Sequence, residues 1–336
     1  MMQMAAVELR TGNIRPSRRE DYSTKCAGAA VGGECPLWRS FLDRVTAGDK
    51  DLQAYLQRVA GYCMTGVTTE HVMFFLYGTG ANGKSVFINT LVGAWGDYAV
   101  IAPMETFIES HNDHHPTDLA GLRGARLVVA QETEQGRRWA EAKIKTLTGG
   151  DSIRARFMRQ DFFTYTPHFK LMIAGNHRPS LSSVDEAIRR RIHLIPFTVT
   201  IPSDQRDRDL ADKLREEWAG ILQWAVDGCL EWQRTGLNPP AAVLDATADY
   251  IADEDSFARW IEDCCLIGRQ HWGIGTRLWD SWRNWAERSN ERTGSRKAFA
   301  ELMKNHGFMP SKSQHVRGYD GIDLTQQSDG DRVDLR

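Results

Sequence analysis

Nowhere in the 336 residues does an apolar run come near the roughly eighteen residues that a membrane-crossing helix requires. The longest, such as Val72-Met73-Phe74-Phe75-Leu76-Tyr77, stop far short of it. The opening residues lack the charged-then-apolar layout of a secretion signal. A membrane or secreted protein is therefore not expected, and a cytosolic enzyme is. Cysteine is sparse, with six residues at 26, 35, 63, 229, 264 and 265. None forms a C-x-x-C, and the adjacent pair Cys264-Cys265 is poorly spaced to hold one zinc, so the thiols read as reduced and mostly buried. Net charge is nearly absent too: 42 basic side chains oppose 44 acidic ones, and the balance of −2 names no partner. With 41% hydrophobic and 26% charged residues, disorder is excluded as well.

What is present begins with a short strand or turn at Val7-Glu8-Leu9 and Thr11-Gly12-Asn13, then a Gly-rich linker to about residue 35. From Leu37 to Thr65, apolar residues recur at three- and four-residue steps. That spacing predicts two amphipathic helices broken near Ala47-Gly48-Asp49. The period then changes: short apolar runs at 72–77, 127–130 and 171–174 read as buried strands with helical stretches between them, an α/β core with a largely parallel sheet. After Pro202 the pattern is helical again. From about 255 come helices around Phe257–Cys264, Leu278–Ala286 and Lys297–Asn305, with Ser295 as a cap, then short strands to Leu324. The division implied is 1–70 for an N-terminal segment and small helical domain, 71–200 for the core and 201–254 for a helical linker. Residues 255–326 form a winged-helix-like domain, and 327–336 a frayed tail.

Gly78-Thr79-Gly80-Ala81-Asn82-Gly83-Lys84-Ser85 fits G-x-x-x-x-G-K-[ST], with an apolar strand before it and a helix-compatible run after. Such glycines let backbone N–H groups close around phosphate oxygens. Lys84 would reach the outer phosphates, and the Ser85 hydroxyl would go to Mg²⁺. The strand Leu127–Ala130 runs through Gln131 into Glu132, with Glu134 two residues on. A carboxylate there can hold Mg²⁺ or orient an attacking water. A third strand ends at Asn176, whose amide could sense a terminal phosphate. Arg189-Arg190-Arg191 follows, and in a nucleotide-hydrolysing ring such arginines reach into a neighbour's site.

Residues 137–191 hold twelve Lys/Arg against five Asp/Glu, a balance of +7, while the rest of the chain carries −9. A cationic stripe beside a phosphate loop points to a polyanion. Within it, residues 152–165 predict a hairpin carrying Arg154, Arg156 and Arg159, suited to following the backbone of a single strand. A second patch, residues 288–317, carries +5 and offers Arg296, Lys297 and Lys304 on a helix, then Lys312, His315 and Arg317 on a following wing, a surface suited to duplex DNA. His111, Asp113, His114 and His115 read as a solvated loop rather than a metal site.

The order of these elements strongly resembles the helicase part of the bacteriophage and plasmid primase-helicases, superfamily 3 helicases related to the poxvirus primase-helicases. The resemblance is carried by Gly78 to Ser85, Glu132-Thr133-Glu134, Lys145-x-Leu147-Thr148-Gly149-Gly150-Asp151 with Ala155-Arg156, Asn176, and Asp185-Glu186-Ala187-Ile188 leading into Arg190-Arg191 and Ile195-Pro196-Phe197. It implies an AAA+-like P-loop core, a hexameric ring, ATP and Mg²⁺ as cofactors, and 3′→5′ translocation on single-stranded DNA in phage or mobile-element replication. It assigns Walker A to 78–85, Walker B to Glu132, a basic region from Lys145 to Lys170 in contact with DNA, motif C to Asn176, and the arginine finger to Arg190 or Arg191. Gln131 stands where the family has its first acid, so metal ligand and base stay open between Glu132 and Glu134. The family's usual primase domain has no counterpart in these residues. Forked and single-stranded DNA, further copies of the chain and a separate primase or polymerase are the implied partners, in the host cytoplasm. The alternative is an ATP-switched initiator or loader that does not unwind. A small-molecule kinase would leave the basic stretch and the arginines without a role.

Overall fold

The computed structural model describes residues 5–109, 117–131, 136–181, 185–291, 293–313 and 316–325. Glu132, Glu134, the histidines at 111, 114, 115 and 315, and the tail after 325 lie outside the described residues. Residues 182–185 aside, the chain forms two units, the first ending at Asp249 and the second beginning at Tyr250.

The first unit starts with β1 (Ala5–Glu8) paired antiparallel to β2 (Asn13–Pro16) across the expected turn. Helices α1 (Pro36–Val45) and α2 (Lys50–Met64) part at Ala47-Gly48, where both residues take left-handed φ values of 52° and 80°. Pro36 opens α1, and the Leu37 and Trp38 amides donate to the Glu217 carboxylate at 2.9 and 2.8 Å. Asp49 caps α2 by accepting from Leu52 N at 2.9 Å.

The sheet follows in chain order: β3 (Met73–Tyr77), α3 (Lys84–Trp95), β4 (Ala99–Ile101), α4 (Thr117–Ala120), β5 (Leu127–Gln131) and α5 (Glu141–Gly149). Next come the hairpin strands β6 (Ile153–Ala155) and β7 (Phe163–Tyr165), then β8 (Lys170–Gly175), α6 (Glu186–Arg189) and β9 (Ile192–Pro196). The five sheet strands run parallel in the order β4-β5-β8-β3-β9. Met73 to Leu76 are fully buried, which explains why β3 reads as an unbroken apolar run. β4 and β9 give a weaker signal. β4 is three residues long with Ile101 exposed, and His193 interrupts β9. That imidazole is half-buried with its Nδ1 2.6 Å from the Tyr55 hydroxyl, and desolvation pushes its pKa down to about 4.

Helices α7 (Leu210–Glu216), α8 (Trp218–Thr235) and α9 (Ala241–Glu254) complete the series. α2 and α8 cross with their backbones in contact. A Cβ on Gly228 would lie 2.1 Å from the Gln57 carbonyl oxygen, and one on Gly61 would lie 2.1 Å from Cys229 N. Trp38, Tyr55, Leu56, Ile221 and Trp224 from the helices join Phe74, Leu76 and Ile195 from one sheet face in a single core. Each such side chain contributes about 1.5–3 kcal/mol by burial. The helices of 1–70 and of 201–249 are therefore not a separate domain and a linker. Their apolar stripes cover the sheet, and they belong to the same unit.

In the second unit, α10 (Ser256–Cys264) leads into β10 (Cys265–Ile274), α11 (Gly275–Arg288), α12 (Arg296–Asn305), β11 (Pro310–Ser313) and β12 (Val316–Leu324). The strands are antiparallel in the order β10-β12-β11. Phe257, Trp260, Leu278, Trp282, Phe299 and Met303 fill its core, so the tryptophan stripe of α11 is packing. Ser295 Oγ accepts from Ala298 N at 3.2 Å, the expected cap of α12. No described helix is long and apolar enough to cross a membrane. All six sulfurs lie outside disulfides, four of them buried. No group of three or more His, Cys, Asp or Glu among the described residues could hold a metal ion.

Candidate nucleotide site and basic hairpin

The glycine-rich loop leaves the carboxyl end of β3 and closes onto the first turn of α3. Gly78 passes so near the end of β9 that a Cβ there would lie 2.0 Å from the Phe197 carbonyl oxygen, which excludes any larger residue. Buried Asn82 donates from Nδ2 to that same oxygen at 2.8 Å, and Ile201 N donates to the Ala81 oxygen at 2.8 Å. The loop is pinned to the segment that follows β9. Thr79, Ala81 and Ser85 stay exposed beside Gly80 and Gly83.

Lys84 is buried, and its ammonium donates to three oxygens: Gly78 O at 2.6 Å, Asn82 Oδ1 at 3.0 Å and Asn176 Oδ1 at 3.1 Å. All three are neutral. Burial pushes the lysine pKa down to about 8. A cation held by neutral dipoles at a helix start is a good receptor for phosphate oxygens, which would supply the missing countercharge.

Asn176 stands just past β8, the neighbour of β3, and β5 lies on the far side of β8. β5 ends at Gln131, whose Nε2 donates to Asn89 Oδ1 on α3 at 2.8 Å. Three adjacent parallel strands thus deliver Lys84, Asn176 and Gln131 to one carboxyl edge, where ligands of open parallel sheets bind. Gln131 is more than a gap in an acidic pair, because it ties the strand end to the helix that follows the loop. The sequence also gave no sign of Arg178, whose guanidinium lies 5.2 Å from the centre of the Tyr77 ring, one residue before Gly78. Only its position two residues past Asn176 could have flagged it.

Arg190 and Arg191 part company. Arg190 is exposed, whereas Arg191 is buried and donates from Nη1 to the Ala187 oxygen at 2.7 Å. The predicted hairpin forms, with Arg154 opposite Thr164 and Ala155 opposite Phe163, although its strands are three residues each and the connection is longer than expected. Both Arg154 and Arg156 sit over the Phe162 ring, at 4.4 and 4.6 Å. Phe157, Met158, Arg159 and Phe162 are exposed around the tip. Lys145 is half-buried on α5. Lys170 does not join this surface. It is buried and donates to the Thr65 and Val67 carbonyl oxygens, with its ammonium 4.8 Å from the centre of the Tyr62 ring. A side chain so enclosed cannot reach a DNA backbone, and the sequence-based assignment of Lys170 is corrected. In the second unit Arg296, Lys297 and Lys304 are all exposed.

Residues 76–191 match a family described as of unknown function, DUF5906. The chain is 26% identical over 260 residues to a protein of Acanthamoeba polyphaga mimivirus named putative helicase, covering 71% of this chain and 27% of that one. It is 27% identical over 239 residues to a protein of Frog virus 3 with the same designation, covering 64% of this chain and 24% of the other. It thus spans about a quarter of the length of these relatives. In fold it is similar to the apo C-terminal region of NrS-1, with a TM-score of 0.54 and 10% identity over 87% of this chain and 77% of that one.

Proposed function

We propose that this chain is the motor part of an ATP-driven DNA helicase of the superfamily 3 type, acting in DNA replication. The observation that carries the reading is the Lys84 ammonium, cradled by Gly78, Asn82 and Asn176 at the carboxyl edge of adjacent parallel strands. The loop strand β3 lies between β8 and β9 in the sheet order, in keeping with an AAA+-like core. The viral relatives named as helicases support a role in DNA transactions, and the NrS-1 region shares the fold.

In this reading ATP lies along residues 78–85, with Lys84 on its outer phosphates. When bound, Mg²⁺ would draw the terminal phosphate oxygens together and neutralise their charge, and Ser85 with Glu132 would hold it. Asn176 orients toward the terminal phosphate and Glu132 or Glu134 toward the attacking water. Arg190 serves the neighbouring copy in a hexameric ring. The hairpin follows single-stranded DNA through Arg154, Arg156 and Arg159, translocating 3′→5′. The strand order of the second unit, with α12 presenting three cations, supports its reading as a winged helix that meets the fork.

The test is strand displacement on forked DNA with ATP, comparing the full chain with Lys84→Ala. Unwinding by the wild type and none by the folded variant is the expected result. ATP turnover without unwinding under any fork geometry would favour an initiator or loader instead. The amide at Gln131, in place of a first acid, is the feature that favours that second reading. Turnover by Lys84→Ala equal to wild type would remove the nucleotide site itself.

A further inference from the structure

The second unit holds a cavity of about 650 Å³ that the motor reading does not use. Its lining combines two kinds of side chain. Trp279, Phe299 and Tyr319 supply aromatic surface, with Phe299 nearly perpendicular to both other rings, at 76° and 87°. Arg296, Lys312 and Arg317 supply charge, and no acidic side chain lines the cavity among the described residues.

The charges are arranged at a cost. Lys312 and Arg317 are direct cross-strand partners in the β11–β12 pairing, and like charges at such positions destabilise a sheet. Arg296, Lys312 and Arg317 are all exposed and make no ion pair among the described residues. The nearest acid in the hairpin, Asp320, instead accepts from the Ser311 hydroxyl at 2.8 Å. The half-buried Tyr319 hydroxyl has no protein hydrogen-bond partner among the described residues. Three uncompensated cations beside the half-buried Tyr319 ring, which is backed by buried Trp279 and Phe299, offer what a nucleotide needs: donors for a phosphodiester, ring surface for a base. An extended acidic peptide fits less well. The adjoining edge strand β11 is only four residues long and begins with Pro310, which has no N–H to donate.

We propose that this cavity is a second nucleotide-sized site, separate from the loop at 78–85, that takes one unpaired nucleotide of a DNA strand. Arg296, Lys312 and Arg317 receive the phosphate, and the half-buried Tyr319 ring, on a floor set by Trp279 and Phe299, receives the base. The choice of DNA as the source of that nucleotide rests on the helicase reading, whereas the cavity's chemistry does not. Unlike a flat helix laid on duplex, such a site distinguishes unpaired from paired DNA, since a base must leave its stack to enter it.

The experiment is an equilibrium titration of the full chain with forked DNA carrying 2-aminopurine at the first unpaired position. ATP and Mg²⁺ are omitted, so the result does not depend on whether the chain hydrolyses ATP or unwinds DNA. Wild type is expected to change the 2-aminopurine emission on binding. The double variant Lys312→Ala/Arg317→Ala, both exposed positions that leave the core intact, should bind the fork at least tenfold more weakly. It should also lose the emission change, and its salt slope should shrink by about 1.4 for two lost single-strand phosphate contacts. Tyr319→Phe, which keeps the ring, should retain the emission change. Fork affinity unchanged in the double variant overturns the proposal. So does an equal loss on blunt duplex, which would mean a duplex-binding face. Displacement of the fork by micromolar thymidine monophosphate would make this a free-nucleotide site, and equal competition by polyglutamate would make it a protein-docking site. Either result also overturns the proposal.

Discussion

The Lys84 ammonium and the Asn176 side-chain oxygen lie 3.1 Å apart, joining the loop after β3 to the end of β8. The contact links the residue that would grip the outer phosphates to the one that would sense the last of them. A nucleotide entering this edge must therefore compete with Asn176 for the ammonium. Hydrolysis and release would hand the contact back.

That relationship predicts a proton uptake. The lysine pKa lies at about 8 because burial disfavours the charged form. Phosphate oxygens would favour that form and raise the pKa. Binding of an ATP analogue at pH 8.5 should then take up a fraction of a proton, and affinity should fall as pH rises above about 8. Calorimetry in two buffers of different ionisation enthalpy reads this directly. Identical heats in both buffers would mean that Lys84 does not meet the phosphates.

The two arginines should separate by phenotype. Arg190→Ala is expected to keep nucleotide binding and folding while turnover falls by about a thousandfold. Mixing it with Lys84→Ala should restore some turnover at hybrid interfaces. Arg191→Ala should instead lower the melting temperature, since its buried guanidinium bonds the Ala187 carbonyl. Loss of a charged hydrogen bond of this kind costs about 1.5–3 kcal/mol. A ring model that assigns the finger to Arg190 cannot accommodate full activity in Arg190→Ala.

For the hairpin, single replacements of Arg154, Arg156 and Arg159 by Ala should weaken single-strand binding alike for all sequences. Each should flatten the dependence on salt by about 0.7. Arg154 and Arg156 share the Phe162 ring, so Phe162→Leu should loosen both and exceed either single loss. An unchanged salt slope in all three arginine variants would return the segment to an ordinary exposed hairpin.

Lys170 sets a pH dependence of stability. Burial pushes its folded pKa down to about 7, well below the ordinary lysine value of the unfolded chain. Between these two values the unfolded state binds more protons, so stability rises with pH above about 7. The buried thiol Cys63, whose pKa burial raises, opposes that gain once unfolded thiols ionise near pH 9. Melting temperatures from pH 6.5 to 8.5 should climb in the wild type, and the climb should shrink in Lys170→Met. Parallel curves for the two proteins would exclude a depressed lysine at this position.

Much of this was legible in the sequence where one residue type had one physical use. The glycine-rich run, the buried strands β3, β5 and β8, the break at Ala47-Gly48 and the Ser295 cap are all local patterns, and the structure has each of them. Lys170 shows the opposite case. Within a basic stretch it looks like its neighbours, and only the fold reveals that Thr65 and Val67 enclose it. The helical cover of the sheet was hidden for a related reason. The close crossing at Gly61 and Gly228 joins residues far apart in the chain, and periodicity says which face is apolar, not what it will meet. The cavity of the second unit was partly visible. Its cations stood out as a patch, but nothing in their spacing indicated a hollow between them.

β9 begins immediately after Arg191 and ends immediately before Phe197, whose carbonyl oxygen holds Asn82. Its five residues make a strut of about 17 Å. At one end Met73 N donates to the Arg191 oxygen at 2.6 Å, and at the other Phe197 N donates to the Tyr77 oxygen at 2.7 Å. A stiff member clamped at both ends transmits displacement rather than absorbing it. In the proposed ring, a pull on exposed Arg190 would therefore arrive at the loop as a tug on Asn82, and through it on Lys84. If the proposed ring forms, this one strand is a direct path from the arginine segment to the phosphate loop.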